Sequence, residues 1–242
     1  PFTLVQGSLD TEIADIIYDS RKAAPGLLFV CIVGTQRDSH AFAADCAAKG
    51  ISALVIQHDI DLSTLSGVTV VKVESSRYAM ALMSANLFGN PARQMTMIGV
   101  TGTKGKTTTS YMIQAITNAL AGRPTGLSSS AGRYCGGPDV DIHLTTPESL
   151  DLQWLFAQAR DHGLPYMTAE VSSQAYQVER VYGEHFDIGV FLNFSEDHIS
   201  PKEHASMEEY LQCKLQLLEN SSRAVICRET AQFDRVYDTA RR

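Results

Sequence analysis

The chain has 242 residues, 44% of them hydrophobic and 19% charged, with a formal net charge of −7. That length and apolar share suit two buried cores and set aside disordered, collagen-like and solenoid readings. The acidic balance excludes general nucleic-acid binding, which needs a basic footprint, and no apolar run approaches the roughly 20 residues that cross a bilayer.

The five cysteines (Cys31, Cys46, Cys135, Cys213 and Cys227) are an odd number without a CxxC pair. They fit a reducing cytosol better than a disulfide framework or a zinc knuckle. The N-terminus has no basic-then-apolar signal pattern. It opens on Pro1 rather than Met, so a trimmed upstream segment is expected. The reading at this level is a soluble, cytoplasmic α/β protein.

The first region alternates strand-like and helix-like stretches. Ile13 to Tyr18 and Leu27 to Val33 are aliphatic and are separated by the turn signal Pro25-Gly26. His40 to Lys49 is Ala-rich with helical spacing, Ile51 to Ile56 reads as a short buried strand, and Val68 to Val73 as another. Ser75 to Leu87 reads as a helix, capped by Ser75 or Ser76 and stopped by Gly89-Asn90-Pro91. A domain boundary is expected there, giving a small α/β domain over 1–91 and a second domain over 92–242.

After the boundary the pattern is strand (Met95 to Val100), Gly-rich turn (Gly102 to Lys106) and helix (Thr107 to Ala121). Leu127 to Asp141 is loop-like. Leu150 to His162 is an amphipathic helix, Tyr166 to Val171 and Phe186 to Phe194 are buried strands, Met207 to Leu218 is a helix, and Ala224 to Cys227 is a third strand. Strands alternating with helices predict an α/β, mostly parallel, doubly wound sheet, with ligands beyond the carboxyl ends of its strands.

The chemistry-bearing residues fall at those ends. Gly102-Thr103-Lys104-Gly105-Lys106-Thr107-Thr108 follows an apolar strand and opens a helix. Such a turn aims backbone amides and the positive end of the helix at an anion. Lys106 is placed to reach a terminal phosphate and the Thr107 hydroxyl to hold Mg²⁺. The full Walker A spacing would require glycine at position 100, which is Val100, so the motif is the shorter G-T-x-G-K-T form. Glu170 ends one strand, and Asp197-His198 follow another; a carboxylate and an imidazole there complete the shell of a nucleotide-bound Mg²⁺. Lys214, in mid-helix, reads from the sequence alone as a charged, solvated surface lysine.

Taken in order, these residues resemble the Mur ligase family. The resemblance runs through Asp19-Ser20-Arg21, Pro25-Gly26-Leu27-Leu28-Phe29, Gly89-Asn90-Pro91, Ile98 to Thr108, Thr145-Thr146-Pro147-Glu148, Glu170-Val171-Ser172-Ser173 with Arg180, Asp197-His198, and Glu208-Glu209-Tyr210 leading to Lys214. Within the family the pattern is closest to the ligases that extend UDP-N-acetylmuramoyl-L-alanyl-D-glutamate by a third amino acid, L-lysine or meso-diaminopimelate. The resemblance implies an ATP-dependent amide ligase of peptidoglycan synthesis working through an acyl phosphate. Its first domain would bind the UDP-linked precursor and its second, P-loop-type domain would bind ATP. Ser20, Thr35 and Gln36 would contact the uridine diphosphate end, and Thr145, Thr146, Ser172 and Arg180 the sugar and peptide. Gly102 to Thr108 would hold ATP. Lys106, Glu170, His198 and Lys214 would be catalytic, with Mg²⁺ at Thr107, Glu170, His198 and a carbamylated Lys214.

The sequence departs from the family in Gln174 after the paired serines, in Ser195 to Ser200, and in a longer span from His198 to Lys214. The resemblance also implies that the central domain continues past Arg242 and that a third domain follows, so the chain alone is not expected to turn over. Rival readings are a related ligase such as a folylpolyglutamate or cyanophycin synthetase, a P-loop ATPase or kinase, and a non-catalytic module that binds the UDP precursor. Neither the amino acid added nor the oligomeric state is legible.

Overall fold

The computed structural model of the chain describes residues 1–34, 37–137, 144–197, 200 and 203–242. They form two compact units, Pro1–Met83 and Ser84–Arg242. The division falls within a helix, α2 (Ser76–Leu87), a little ahead of the boundary expected at Gly89-Asn90-Pro91.

The first unit is a five-stranded sheet of β1 (Phe2–Gln6), β2 (Asp15–Ile17), β3 (Leu27–Val30), β4 (Ala53–Ile56) and β5 (Thr69–Val73) in the order β1-β5-β4-β3-β2. All neighbours are parallel except β1, which pairs antiparallel with β5 from Phe2 opposite Val73. β4 is buried along its whole length, the physical reason Ala-Leu-Val-Ile reads as an uninterrupted apolar run. β1 was not anticipated: as a largely exposed edge strand it carries no period-2 burial to read. The helix expected over His40 to Lys49 is split. A 3₁₀ turn, Ser39–Phe42, is capped by the Asp38 carboxylate accepting from the His40 amide, and α1 (Ala43–Ala48) follows. Phe29, Cys31, Leu54, Ile56 and Val70 close the core against Ala43 and Cys46.

The second unit is a six-stranded sheet built from β6 (Thr96–Thr101), β7 (Gly126–Ser128), β8 (Arg133–Tyr134), β9 (Tyr166–Glu170), β10 (Ile188–Phe191) and β11 (Ala224–Ile226). Its order is β11-β10-β6-β9-β7-β8, parallel throughout except for the β7–β8 hairpin. The helices are α3 (Lys106–Ala121), α4 (Ser149–Asp161), α5 (Ser173–Gln177), α6 (Met207–Glu219) and α7 (Phe233–Ala240). The stretch read as loop-like after Leu127 thus holds two short strands, and α7 lies where no element was expected. β7 and β8 have three and two residues, too short for periodicity to register.

Two layers of side chains fix this sheet. Met97, Met167 and Ala169 pack with Leu152, Leu155 and Phe156 of α4. Phe191 packs with Tyr210, Leu211, Leu215 and Leu218 of α6 and with Val236 of α7. Full burial of each large apolar side chain stabilises the fold by about 1.5–3 kcal/mol. α6 also lies tight against β6: a β-carbon on Gly99 would fall 2.6 Å from Leu217 Cδ1 and 2.9 Å from Phe186 Cδ1. Because β9, β6 and β10 are parallel neighbours, the segments leaving their carboxyl ends emerge side by side. Those segments begin at Gly102, Val171 and Leu192.

Candidate active site

β6 delivers the chain to Gly102, and the helix α3 begins at Lys106. Gly105 caps α3 in the left-handed region (φ 83°), a conformation that costs glycine nothing. Gly102 is required by contact: a β-carbon there would stand 2.9 Å from Leu192 Cβ and 3.3 Å from the Asn193 nitrogen. The first-turn amides of α3 have no partner within the helix, and with the helix dipole they form a cradle for an anion. The amides of Thr103 and Lys104 do not join that cradle. They donate to the Asn193 main-chain oxygen (3.0 Å) and to Asn193 Oδ1 (2.9 Å). Lys104 and Thr108 are exposed, whereas Thr103 is buried.

Lys106 Nζ folds back on its own loop, donating to Gly102 O at 3.0 Å and Thr103 O at 3.3 Å. Burial lowers its pKa, opposed by the charges of Glu170 and Asp197. Lys214 reaches the same acceptor from α6, donating to Gly102 O at 2.8 Å. It is 2% exposed, not the solvated surface lysine that the sequence alone favoured. Tyr210 lies one helical turn earlier on the same face, so the Nζ sits 4.5 Å from the centre of that ring. Burial, and then repulsion from Lys106, push the Lys214 pKa down to about 7. The neutral amine is thus favoured far more than in a solvated lysine.

Beside these lysines lies a set of oxygen donors. Thr107 Oγ1 is 2.9 Å from Ser130 Oγ, and the Ser130 amide donates to Glu170 Oε1 at 3.3 Å. Glu170, at the end of β9, is almost fully buried. Two hydroxyls and a carboxylate are the donor chemistry a hard cation such as Mg²⁺ prefers. Among the predicted ligands Thr107 and Glu170 are thus brought together, while His198 lies outside the described residues.

A second cluster adjoins the first. The Thr146 hydroxyl donates to Glu170 O at 2.9 Å and lies 3.3 Å from Ser172 Oγ; it also accepts the Ser172 amide at 3.0 Å. Ser172 caps α5 by accepting from the Ala175 amide. Arg180 donates Nε and Nη2 to Glu148 Oε1, both at 3.1 Å, in a largely buried ion pair. Thr145 is half-buried beside Thr146. Of the residues expected at the uridine end, Ser20 lies in the first unit, where its main-chain oxygen accepts from Lys49 Nζ at 2.9 Å. Thr35 and Gln36 lie outside the described residues.

Three residues of this region were not singled out as site residues from the sequence. Ser130 ends the run Ser128-Ser129-Ser130 after an apolar strand. Asn193 stands two residues past β10. Tyr210, which donates to Thr103 Oγ1 at 3.2 Å, is the residue four before Lys214. Only the last spacing carried a readable signal.

The first unit also gathers ligand-type atoms of Asp38, His40 and His58 within 4.8 Å of one another. Their hydrogen bonds argue against a metal centre. His40 Nε2 accepts the Gln57 amide at 2.9 Å, so the ring's proton is on Nδ1, facing Asp38 Oδ1.

A model of the Mur ligase middle domain matches residues 100–242. The chain is 39% identical over 225 residues to the UDP-N-acetylmuramoyl-L-alanyl-D-glutamate–2,6-diaminopimelate ligase of Clostridium perfringens (strain 13 / Type A), covering 93% of this chain and 46% of that protein. It is 42% identical over 234 residues to the UDP-N-acetylmuramyl-tripeptide synthetase of Bifidobacterium longum (strain NCC 2705), covering 96% of this chain and 44% of that protein. A solved structure of a UDP-N-acetylmuramoyl-L-alanyl-D-glutamate–2,6-diaminopimelate ligase superposes with a TM-score of 0.75 at 22% identity, over 95% of this chain and 46% of that one. This last likeness speaks to the fold. The chain spans about half the length of the curated relatives it matches.

Proposed function

Because the chain belongs to the Mur ligase family, we propose that the whole protein is an ATP-dependent amide ligase acting on UDP-N-acetylmuramoyl-L-alanyl-D-glutamate. It adds a diamino acid, meso-diaminopimelate or L-lysine, as the third residue of the peptide, in the cytoplasm where ATP and the precursor meet. The observation that carries this reading is the convergence of the phosphate loop, Lys106 and the Thr107–Ser130–Glu170 oxygen set next to the Thr146–Ser172 pair. A phosphate cradle and a polar patch on adjoining strand ends suit transfer of a phosphoryl group to an acceptor held alongside.

In the first step a carboxylate oxygen of the glutamyl residue attacks the γ-phosphorus of ATP, ADP leaves, and an acyl phosphate forms. In the second, the neutral amine of the incoming amino acid attacks the acyl carbon, phosphate departs with the C–O electron pair, and the nitrogen gives up a proton. The protein's share is positioning and charge neutralisation. Lys106 exchanges its loop carbonyls for the terminal phosphate, the α3 amides hold the phosphate oxygens, and Thr146 and Ser172 orient the peptide end. Thr107, Ser130 and Glu170, with His198, would hold Mg²⁺, which neutralises phosphate charge when bound. The Lys214 amine, in its neutral form, would attack CO₂, forming an N–C bond and releasing a proton; the resulting carbamate would offer an oxygen ligand where an ammonium could not.

The test is phosphate release by the full-length protein given ATP, Mg²⁺ and the UDP dipeptide precursor, across a panel of amino acids. Release dependent on one diamino acid, and lost in Lys106→Ala, is expected. Precursor binding without release for any amino acid would replace this reading with a non-catalytic binding module.

A further inference from the structure

We propose that Asn193 is a positioning residue for the nucleotide: it holds the phosphate loop in its binding conformation without touching the phosphates. The inference rests on the nucleotide-binding reading above and assigns a role to a residue outside the loop. One side chain brackets a single loop residue, meeting the N–H of the peptide before Lys104 and the C=O of the peptide after it. Asn193 Oδ1 accepts from the Lys104 amide at 2.9 Å, and Asn193 Nδ2 donates to Lys104 O at 3.0 Å. Its main-chain oxygen takes the Thr103 amide at 3.0 Å, and two residues on, the Ser195 amide donates to Thr103 Oγ1 at 3.1 Å. The tail of β10 therefore runs beside the loop.

The arrangement divides the loop's amides into two sets. Those of Thr103 and Lys104 are taken up by Asn193, and after the left-handed Gly105 the first-turn amides of α3 are left without a partner inside the helix. A loop free to rotate at Lys104 would trade one set for the other. A carboxamide supplies, at every pH, the acceptor and the donor that the N–H and C=O of one residue require; an ionised carboxylate lacks the donor and an alkyl group lacks both. The absence of a β-carbon at Gly102 lets Leu192 and Asn193 approach closely enough for these bonds to form.

The experiment uses the full-length protein and its Asn193→Ala and Asn193→Asp variants. Binding of a non-hydrolysable ATP analogue with Mg²⁺ and binding of the UDP precursor are measured by calorimetry, with steady-state kinetics and melting curves alongside. Both variants are expected to bind the nucleotide tenfold or more weakly, with KM for ATP raised, kcat within threefold of wild type and precursor affinity unchanged. The deficit of Asn193→Asp shrinks as pH falls and its carboxyl gains a proton, because the acid form restores the donor; wild type shows no such recovery. Nucleotide affinity within threefold of wild type in the alanine variant would overturn the proposal. So would a loss of kcat at unchanged KM, or loss of precursor binding together with a lowered melting temperature. If Asn193→Ala does not fold, the aspartate variant and its pH dependence decide alone. Wild type that binds nucleotide yet releases no phosphate refutes the ligase reading and leaves the Asn193 comparison standing. Wild type that binds no nucleotide removes both.

Discussion

Glu184 is a buried acid, 7% exposed, whose carboxylate receives the Gln153 side-chain amide. Burial pushes its pKa up to about 7 from an ordinary 4.5, against the opposing pull of Gln153 and Arg93. Between those two pH values the folded chain keeps a proton that the unfolded chain has released. Stability must therefore fall as pH rises through that window, with the whole deficit present above 7 and none of it below 4.5. A gap of about 2.5 pH units, at ~1.36 kcal/mol each, makes the deficit about 3 kcal/mol. Glu184→Gln keeps the shape and the amide contact but carries no titratable proton. The variant should match wild type near pH 4.5 and exceed it by up to about 3 kcal/mol at pH 8. Urea unfolding followed by the fluorescence of Trp154, the single tryptophan, reports on this unit because Trp154 packs against its core and adjoins Gln153. Other titrating groups are common to both proteins and cancel in the difference. Parallel stability curves from pH 4.5 to 8, or a variant less stable at pH 8, would refute the reasoning.

Two further substitutions probe the site and its support. Lys214→Met should abolish phosphate release while leaving the unfolding free energy at pH 6 no lower than wild type. With the folded pKa depressed to about 7, the buried amine costs stability most below pH 7 and least above its unfolded value of 10.5; a less stable variant at pH 6 contradicts this. Gly99→Ala forces a β-carbon into Leu217 and Phe186 and should cost about 1–3 kcal/mol. An unchanged urea midpoint would show that α6 shifts freely.

The parts of this architecture that could be read from the residues are those where one physical cause dominates. The phosphate loop was legible because Gly102, Gly105 and the Lys106-Thr107 pair sit between an apolar run and a helical run, a spacing that few other structures demand. β9 and β10 were legible because strands buried on both faces read as near-continuous apolar runs, broken before the end of β9 only by Thr168. Glu170 was legible as the charged residue that ends such a run. Lys214 was misread from its own helix because burial there is decided by β6 and the loop across from it, which local periodicity does not contain. Ser130 and Asn193 escaped notice for a related reason. A hydroxyl after a three-residue strand and an amide in a strand tail have many uses, and only the pairing of β7 and β10 with their neighbours selects one. β1 and the β7–β8 hairpin were missed because each is either exposed or too short to leave a pattern.

The meeting of two lysines on the carbonyl of Gly102 bears on how the loop would receive a phosphate. A lysine that waited in solvent would have to surrender its rotamer freedom on binding, about 1.5–2 kcal/mol for so long a side chain. Lys106 has already surrendered it, being tied to the loop's own oxygens. Under the nucleotide-binding reading proposed above, an arriving phosphate would exchange one set of acceptors for another instead of ordering a loose chain. Of the two carbonyls it would release, that of Gly102 keeps a donor, because Lys214 of α6 holds the same oxygen. On that reading the ammonium would pass from one set of acceptors to another while the Gly102 oxygen stayed held.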